Sequence, residues 1–280
     1  MKQSILLTIC ILFTLNSFHS FAQESLKIEE IEMVNLGDGQ LYAHKRDSEK
    51  TPLEGKIRII TGFTTEYIDA EFKGGYAEGK WEYYKNNDLN TYMSYKNGYM
   101  DGECGEVRPN GDFKETGSYK DGKKDGAWKE YYSDNEVKQT EEFKEGDLRK
   151  RIKYYTDGSI ESEKEFMNKK EHGIEKRYEW ETGKLKTEKV YENGKQVGKQ
   201  MQYYSSNVND YIQISNYSKN GKLDGKYTET YAETDKVKVQ GQYKEGKKIG
   251  VWKYGNKDGK INKEEKYEDG KLIETKKIEN

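Results

Sequence analysis

One phrase recurs along this chain at a nearly constant interval. In its clearest form an aromatic residue is followed by Gly three, Gly seven and Trp nine positions later, as in "YKDGKKDGAW", which begins at Tyr119. The repeat-defining structural residues of this frame are Gly79, Trp81, Gly102, Gly126, Trp128, Gly198, Gly225, Gly250 and Trp252. A period of roughly 23 to 27 residues is typical of stacked supersecondary units. The sequence therefore predicts a repeat array of about nine units over residues 55–280.

A second frame lies between successive copies. A turn residue is followed by an apolar residue two positions later and by an aromatic residue six beyond that, as in Gly158, Ile160 and Phe166. Even separations place side chains on one face of a strand, and Gly, Asn and Asp supply the positive φ angles of tight hairpins. Each unit is thus predicted to be a hairpin that pairs antiparallel with its neighbours. The predicted fold class is all-β, an elongated array of hairpins in a single twisted or curved sheet.

Composition limits what can hold such a sheet together. Only 32% of the residues are hydrophobic and 36% are charged, so a thick aliphatic core is not expected. Disorder is the rival reading of such a composition, but the aromatic residues here fall in register. Aromatic pairs add about 0.5–1.5 kcal/mol each beyond area burial, so we predict that aromatic ladders hold the array. Other residues replace Trp in some units, namely Cys104, Ile152, Glu175 and Gln200.

The N-terminal residues differ from the rest. Residues 1–22 contain Lys2, an apolar stretch over residues 5–15, and the small residues Ser20 and Ala22, the pattern of a secretory signal peptide. The apolar stretch is shorter than the roughly 20 residues of a spanning helix, so cleavage after Ala22 is favoured over a membrane anchor. We expect an exported protein, in the periplasm, on the outer surface or outside the cell, without a transmembrane segment after cleavage. Residues 23–54 are then an N-terminal capping segment.

The repeat frame followed by one or two tyrosines, as at Tyr83 and Tyr84 or Tyr131 and Tyr132, resembles the MORN-repeat variant of bacterial proteins. Many of those proteins are labelled YwqK-type antitoxins. The resemblance covers residues 34–280. It implies a single-layer array of antiparallel hairpins that is used in binding, and it suggests an antitoxin-like or immunity-like role.

Residues with catalytic chemistry are few. After signal cleavage Cys104 is the single cysteine, which excludes an internal disulfide and favours a small buried hydrophobe over a nucleophile. His44 and His172 are far apart in the sequence and are interpreted as surface residues, so no catalytic residue, metal site or cofactor is predicted. The mature net charge of about −3 gives no indication of nucleic-acid binding. We therefore expect a protein that is not an enzyme.

Two binding functions follow. The leading hypothesis is an exported scaffold that mediates protein–protein interaction at the cell envelope with an unknown protein partner, because repeat arrays present extended surfaces. The alternative is recognition of carbohydrate or peptidoglycan, an envelope glycan, by exposed aromatic rows. Trp180 and Tyr211 lie in the two longest units, where insertions map to loops. The candidate binding surface consists of Tyr84, Tyr131, Tyr155, Trp180 and Tyr211.

Overall fold

The computed structural model describes residues 24–205 and 209–279. The predicted signal peptide and the predicted mature N-terminus at Gln23 lie outside the described residues. The described chain forms one open sheet of 24 strands. The first strands are β1 (Glu24–Lys27), β2 (Ile31–Asn35), β3 (Leu41–Lys45), β4 (Gly55–Ile60), β5 (Tyr67–Lys73), β6 (Tyr76–Lys85), β7 (Asp88–Lys96) and β8 (Tyr99–Val107), with a 3-10 helix at Ile28–Glu30.

The remaining strands continue the same hairpin pattern to the C-terminal end. They are β9 (Phe113–Lys120), β10 (Lys123–Lys124), β11 (Gly126–Tyr131), β12 (Val137–Lys144), β13 (Asp147–Tyr154), β14 (Ile160–Met167), β15 (Lys170–Tyr178), β16 (Leu185–Glu192), β17 (Lys195–Gln196), β18 (Gly198–Tyr204), β19 (Tyr211–Tyr217), β20 (Gly225–Tyr231), β21 (Val237–Lys244), β22 (Lys247–Gly255), β23 (Ile261–Glu268) and β24 (Lys271–Lys277). The predicted all-β hairpin array is confirmed. No helix of the described residues has the length and apolar character needed to cross a membrane.

Strand register explains both sequence frames. Gly126 of the first frame pairs with Phe143, the aromatic residue that closes the second frame on the next strand. In the same hairpin Tyr131 pairs with Val137, the apolar residue of the second frame, across a β-bulge. Equivalent pairs recur in the other hairpins, for example Gly250 with Tyr267. The spacings of the two sequence frames therefore correspond to residues that pair across neighbouring strands.

A row of residues that face one another across successive strands, by direct pairing or by continuation of the neighbouring register, crosses the sheet, and we call it the tryptophan row. It runs through Trp81, Met93, Cys104, Gly117, Trp128, Glu141, Arg151, Lys164, Glu175, Lys189, Gln200, Ser215, Tyr227, Gly241, Trp252 and Glu265. Its three tryptophans are buried, with 1 to 6% of their surface exposed. Its central part is charged, so the aromatic packing there gives way to ion pairs.

Each buried tryptophan packs between aromatic residues of adjacent strands. The ring of Trp81 lies 4.9 Å from Phe72 and 4.8 Å from Tyr95, measured between centroids. Trp252 lies 5.0 Å from Tyr243 and 5.5 Å from Tyr227. The prediction of aromatic ladders is confirmed at these places.

The prediction that Ile152 replaces Trp in the fifth unit is wrong, because β13 is displaced by one residue. The second Gly of the other units sits in the left-handed region, with φ of 77° at Gly126, and forms part of a bulge. Lys150 stands in its place, and a side chain with a β-carbon adopts that conformation only at a cost. Lys150 pairs with Glu165 rather than with Phe166, so Arg151 enters the tryptophan row.

The N-terminal end of the array contains an aliphatic core, which corrects the expectation drawn from composition. β1 runs parallel to β4, the exception to the antiparallel pairing predicted for neighbours. The capping segment contributes Ile31, Ala43 and Leu53 to a buried cluster that includes Ile57, Ile59, Ile68, Ala70, Phe72, Ala77 and Trp81. The predicted cap is therefore a closed end with its own apolar packing, whereas every residue of β24 at the other end is exposed.

The hairpin turns stack along one edge of the sheet, which we call the turn edge. The N–H of a turn glycine donates to a backbone carbonyl of the preceding unit, as Gly98 does to Ala77 at 2.8 Å and Gly122 to Met100 at 2.8 Å. The same bond links Gly75 to Leu53, Gly146 to Lys124, Gly194 to Glu171, Gly246 to Leu223 and Gly270 to Lys248. Consecutive units are thus joined at their turns as well as along their strands.

Candidate functional site

Tyr84 stacks on another tyrosine within the sheet. Its ring lies 4.7 Å from that of Tyr67 at an interplanar angle of 20°, and Arg58 lies 4.0 Å above the Tyr67 ring. The Tyr84 hydroxyl donates to Glu82 at 3.0 Å. Burial, followed by this hydrogen bond to a carboxylate, raises the pKa of Tyr84 to about 12. Tyr84 therefore serves packing between strands.

Tyr131 and Tyr211 also have partners inside the sheet. The Tyr131 hydroxyl lies 3.0 Å from the hydroxyl of Thr116. Tyr211 stacks on Tyr204 with ring centroids 4.7 Å apart, and Lys238 places its Nζ 3.3 Å from the centre of the Tyr211 ring. Both tyrosines are half-buried. The hydroxyl of Tyr131 and the ring of Tyr211 therefore already have partners within the sheet.

Tyr84, Tyr131 and Tyr155 do not occupy one row. Tyr84 pairs with Leu89 and Tyr131 with Val137, and the residue that pairs equivalently in β13 is Tyr154, opposite Ile160. Tyr155 follows it and donates its hydroxyl to the backbone carbonyl of Tyr178 at 3.0 Å. The same bond between neighbouring units is made by Tyr132 to Tyr154 and by Tyr231 to Gly255. The Tyr155 hydroxyl thus links two neighbouring units by a hydrogen bond.

Trp180 differs from the other predicted site residues because 52% of its surface is exposed. It lies in the connection between β15 and β16. Its indole Nε1 donates to the carboxylate of Asp157 at 3.1 Å, and its ring centroid is 6.5 Å from that of Tyr155. Hydrogen bonds from Ser159 and then from Trp180 hold the pKa of Asp157 below its ordinary value, so the acceptor is charged at neutral pH. The indole is held in place while it contacts solvent.

A concavity with a volume of about 820 Å³ lies beside Trp180, and we call its lining the Trp180 surface. Its aromatic wall is formed by Tyr155, Tyr178 and Trp180. The rest of the lining is polar and includes Glu161, Arg177, Glu179, Glu181, Lys186, Thr187, Lys189 and Gln202. Small-ligand sites are usually lined mainly by apolar and aromatic side chains, whereas this lining is mostly polar, so the surface suits a hydrophilic ligand.

Arg177 is anchored to the tryptophan row beneath this surface. Its Nε donates to Glu175 at 2.9 Å, and Lys164 lies 3.4 Å from the same carboxylate. Burial alone would raise the pKa of Glu175, but the hydrogen bonds from Arg177 and Tyr191 and the charge of Lys164 hold it below its ordinary value. A charged Glu175 holds the guanidinium group of Arg177 at its Nε, and 61% of the Arg177 side chain remains exposed.

The Trp180 surface has balanced charge. Lys186 and Lys189 provide two cations and Arg177 a third, while Glu161, Glu179 and Glu181 provide three carboxylates. Among the described residues neither of the two lysines forms an ion pair. The hydroxyl oxygen of Thr187 is buried and has no hydrogen-bond partner in the described part of the chain. The surface therefore offers both donors and acceptors to a polar ligand.

Reactive groups elsewhere in the described chain are shielded. Cys104 is buried with 3% exposed, and burial raises the pKa of its thiol to about 11. His44, expected at the surface, is buried at 6% exposure because β3 crosses the capped end of the array, and its Nδ1 lies 2.8 Å from the Lys45 carbonyl oxygen. Within residues 24–205 and 209–279 no group of three or more His, Cys, Asp or Glu could hold a metal ion.

Sequence reasoning found Trp180 and Tyr155 but did not bring them together, and it missed Arg177, Lys186 and Lys189. The strand alternation offered a sign: Glu175 and Arg177 are two residues apart on β15, and Thr187 and Lys189 face them on β16. A scan of the chain against known protein-family models returns no match, and neither does a search of the curated proteins.

Proposed function

We propose that this chain is an exported, non-catalytic binding protein of MORN-like repeats that mediates protein–protein interaction at the cell envelope. The observation that carries the proposal is the single open sheet of linked hairpins, whose aromatic residues mostly pack among themselves. Such an array holds many weak contact points at fixed spacing, and several of them can engage one partner at once. An antitoxin-like or immunity-like role is the narrower form of this proposal.

The exposed surface suits a polar partner interface. Cross-strand ion pairs such as Lys114 with Glu106 at 2.8 Å and Lys138 with Glu130 at 2.6 Å recur along the strands. Exposed pairs contribute little to folding, typically about 0–1 kcal/mol. They are therefore available to set partner choice and association rate at little cost in stability.

Two measurements test this proposal. The intact mass of protein purified from the cell envelope should correspond to a chain that begins at Gln23, and retention of Met1 would contradict export. The mature protein, immobilised and exposed to envelope extract with lysine crosslinking, should capture one reproducible protein whose crosslinks fall in three or more units. An immobilised protein of equal net charge is the control, and crosslinks confined to one unit would contradict the extended interface.

Recognition of an envelope glycan is the second candidate function, and the Trp180 surface favours it. Apart from Trp180, the aromatic residues predicted to bind are engaged in stacks or hydrogen bonds within the sheet. Rows of tyrosine thus offer less to a sugar chain than the sequence suggested, whereas the concave surface beside Trp180 offers an exposed aromatic ring and polar side chains together.

A further inference from the structure

We infer that the Trp180 surface is a binding site for an uncharged oligosaccharide, with Trp180 as the stacking platform. The inference rests on the proposed non-catalytic binding function and assigns a ligand class to one site within it. Two features of the site carry it: a restrained and exposed indole, and a balanced set of charged side chains.

The indole of Trp180 is oriented before any ligand arrives. Its N–H is bound to Asp157 at 3.1 Å, and Tyr155, which lines the same surface, is tied to the Tyr178 carbonyl at 3.0 Å. The face of an aromatic ring carries partial negative charge, and the axial C–H groups of a pyranose ring carry partial positive charge, so the two stack. Because the ring is already held, binding costs less side-chain entropy than it would at a freely rotating aromatic residue.

The polar lining suits hydroxyl groups better than it suits a charged ligand. A sugar hydroxyl both donates and accepts, and the surface offers cationic donors at Arg177, Lys186 and Lys189 beside carboxylate acceptors at Glu161, Glu179 and Glu181. The amide of Gln202 adds a neutral donor and a neutral acceptor to the same lining. An acidic sugar or a phosphate would meet three carboxylates as well as three cations. Charge balance therefore selects an uncharged chain.

The chain has four tryptophans, and this makes the site measurable. Trp81, Trp128 and Trp252 are 1%, 6% and 1% exposed, so a collisional quencher such as acrylamide reaches Trp180 selectively. The experiment screens the mature full chain against oligomers of glucose, mannose and N-acetylglucosamine, with oligogalacturonate as the acidic comparison. We expect at least one uncharged oligomer to bind and to protect the fluorescence of Trp180 from acrylamide.

Two variants locate the binding. Trp180→Ala should weaken the binding of that oligomer by at least about tenfold, since an exposed aromatic anchor carries a large share of such an interface. Phe63→Ala removes an aromatic ring that is 84% exposed in a different loop and should leave the affinity unchanged. Circular dichroism of both variants checks that the sheet is intact.

The outcomes separate this inference from the proposed function. Failure of every oligosaccharide to protect Trp180, protection by oligogalacturonate alone, or equal binding by Trp180→Ala would each overturn the saccharide site. Capture of an envelope protein by the Trp180→Ala variant would leave the proposed binding function standing after such a result. Loss of both would remove the binding function itself.

Discussion

Trp128 lies so close to Gly117 on the neighbouring strand that a β-carbon added to Gly117 would come within 2.3 Å of the indole ring. Trp252 stands in the same relation to Gly241, again at 2.3 Å. Gly117 and Gly241 are not among the residues with positive φ, so space and not backbone conformation requires glycine there. The pair of a large ring and an absent side chain is thus a packing unit of the tryptophan row.

Gly117→Ala should destabilise the protein by about 1–3 kcal/mol, because the indole of Trp128 is buried and cannot move aside without losing its contacts. Urea unfolding measures the change. A double-mutant cycle with Trp128→Ala is the control, since the added methyl group should cost little once the ring is gone. An equal cost of Gly117→Ala in both backgrounds would contradict the packing explanation.

Gln200 takes over the hydrogen bonds of a tryptophan. The indole N–H of Trp81 donates to the carbonyls of Glu71 and Glu78, ten and three residues earlier. The Gln200 amide donates to Val190 and Val197 at the same two offsets, at 3.1 and 2.6 Å, and it also accepts from the Val190 N–H. We expect Gln200→Leu to lower the free energy of unfolding by about 1–3 kcal/mol, because buried backbone groups lose their partner. Gln202→Leu, two residues away on the same strand, should change it far less in the same urea titration.

Glu265 makes the folding stability of the C-terminal end of the array depend on pH in the acidic range. Hydrogen bonds from Tyr254 at 2.6 Å, Lys263 at 2.9 Å and Tyr267 at 2.9 Å lower its pKa to about 2. A carboxyl whose pKa is lowered by folding stabilises the native state above its ordinary pKa, here 4.5, and loses that contribution as the pH falls toward 2. Stability of Glu265→Gln should therefore fall less steeply than wild type below pH 4.5.

Thermal unfolding across this pH range provides the comparison. Glu268→Gln in the same hairpin is the matched control, because its carboxylate makes only an exposed contact with Lys266 at 3.6 Å. That variant should keep the wild-type slope. A wild-type slope in Glu265→Gln would show that the hydrogen bonds to Tyr254 and Lys263 do not govern the titration.

Cys104 should resist alkylation in the native protein. Burial raises the pKa of its thiol to about 11, and the thiolate is the reactive form. Iodoacetamide at pH 8 should label the folded chain far more slowly than the chain in urea, as followed by intact mass. Rapid labelling without denaturant would mean that the row of residues around Cys104 opens readily.

Periodicity predicted the hairpins because every unit repeats the same packing requirement. In most units a glycine in the left-handed region precedes a residue of the tryptophan row, as Gly126 precedes Trp128. This spacing can be read from the sequence. The displacement at Lys150 was missed because the frame was counted forward from Phe143. It shows when the next apolar residue is used instead, since Ile160 lies 17 residues after Phe143 whereas Val137 lies 18 after Tyr119. The same displacement made Tyr155 resemble Tyr131 when Tyr154 is its equivalent.

The aliphatic core and the Trp180 surface depend on contacts between residues far apart in the sequence, and a single sequence does not reveal these contacts. The aliphatic core needs Ile31 of β2 and Ala43 of β3 to meet Ile57 of β4, and no local pattern indicates that contact or the parallel pairing of β1 with β4. The Trp180 surface likewise needs Tyr155, Arg177 and Lys189 from different strands to meet. Trp180 could be singled out only because it breaks the repeat.

The bonds along the turn edge give the array a direction of growth. Gly98 donates to Ala77, and Gly122 to Met100, so in these hairpins the turn completes its backbone pairing on a carbonyl of the preceding hairpin. The closed end, with Leu53 and Phe72 in its core, is the one part that needs no predecessor. We therefore expect the closed end to be the most stable nucleus of the array, from which pairing propagates hairpin by hairpin toward β24.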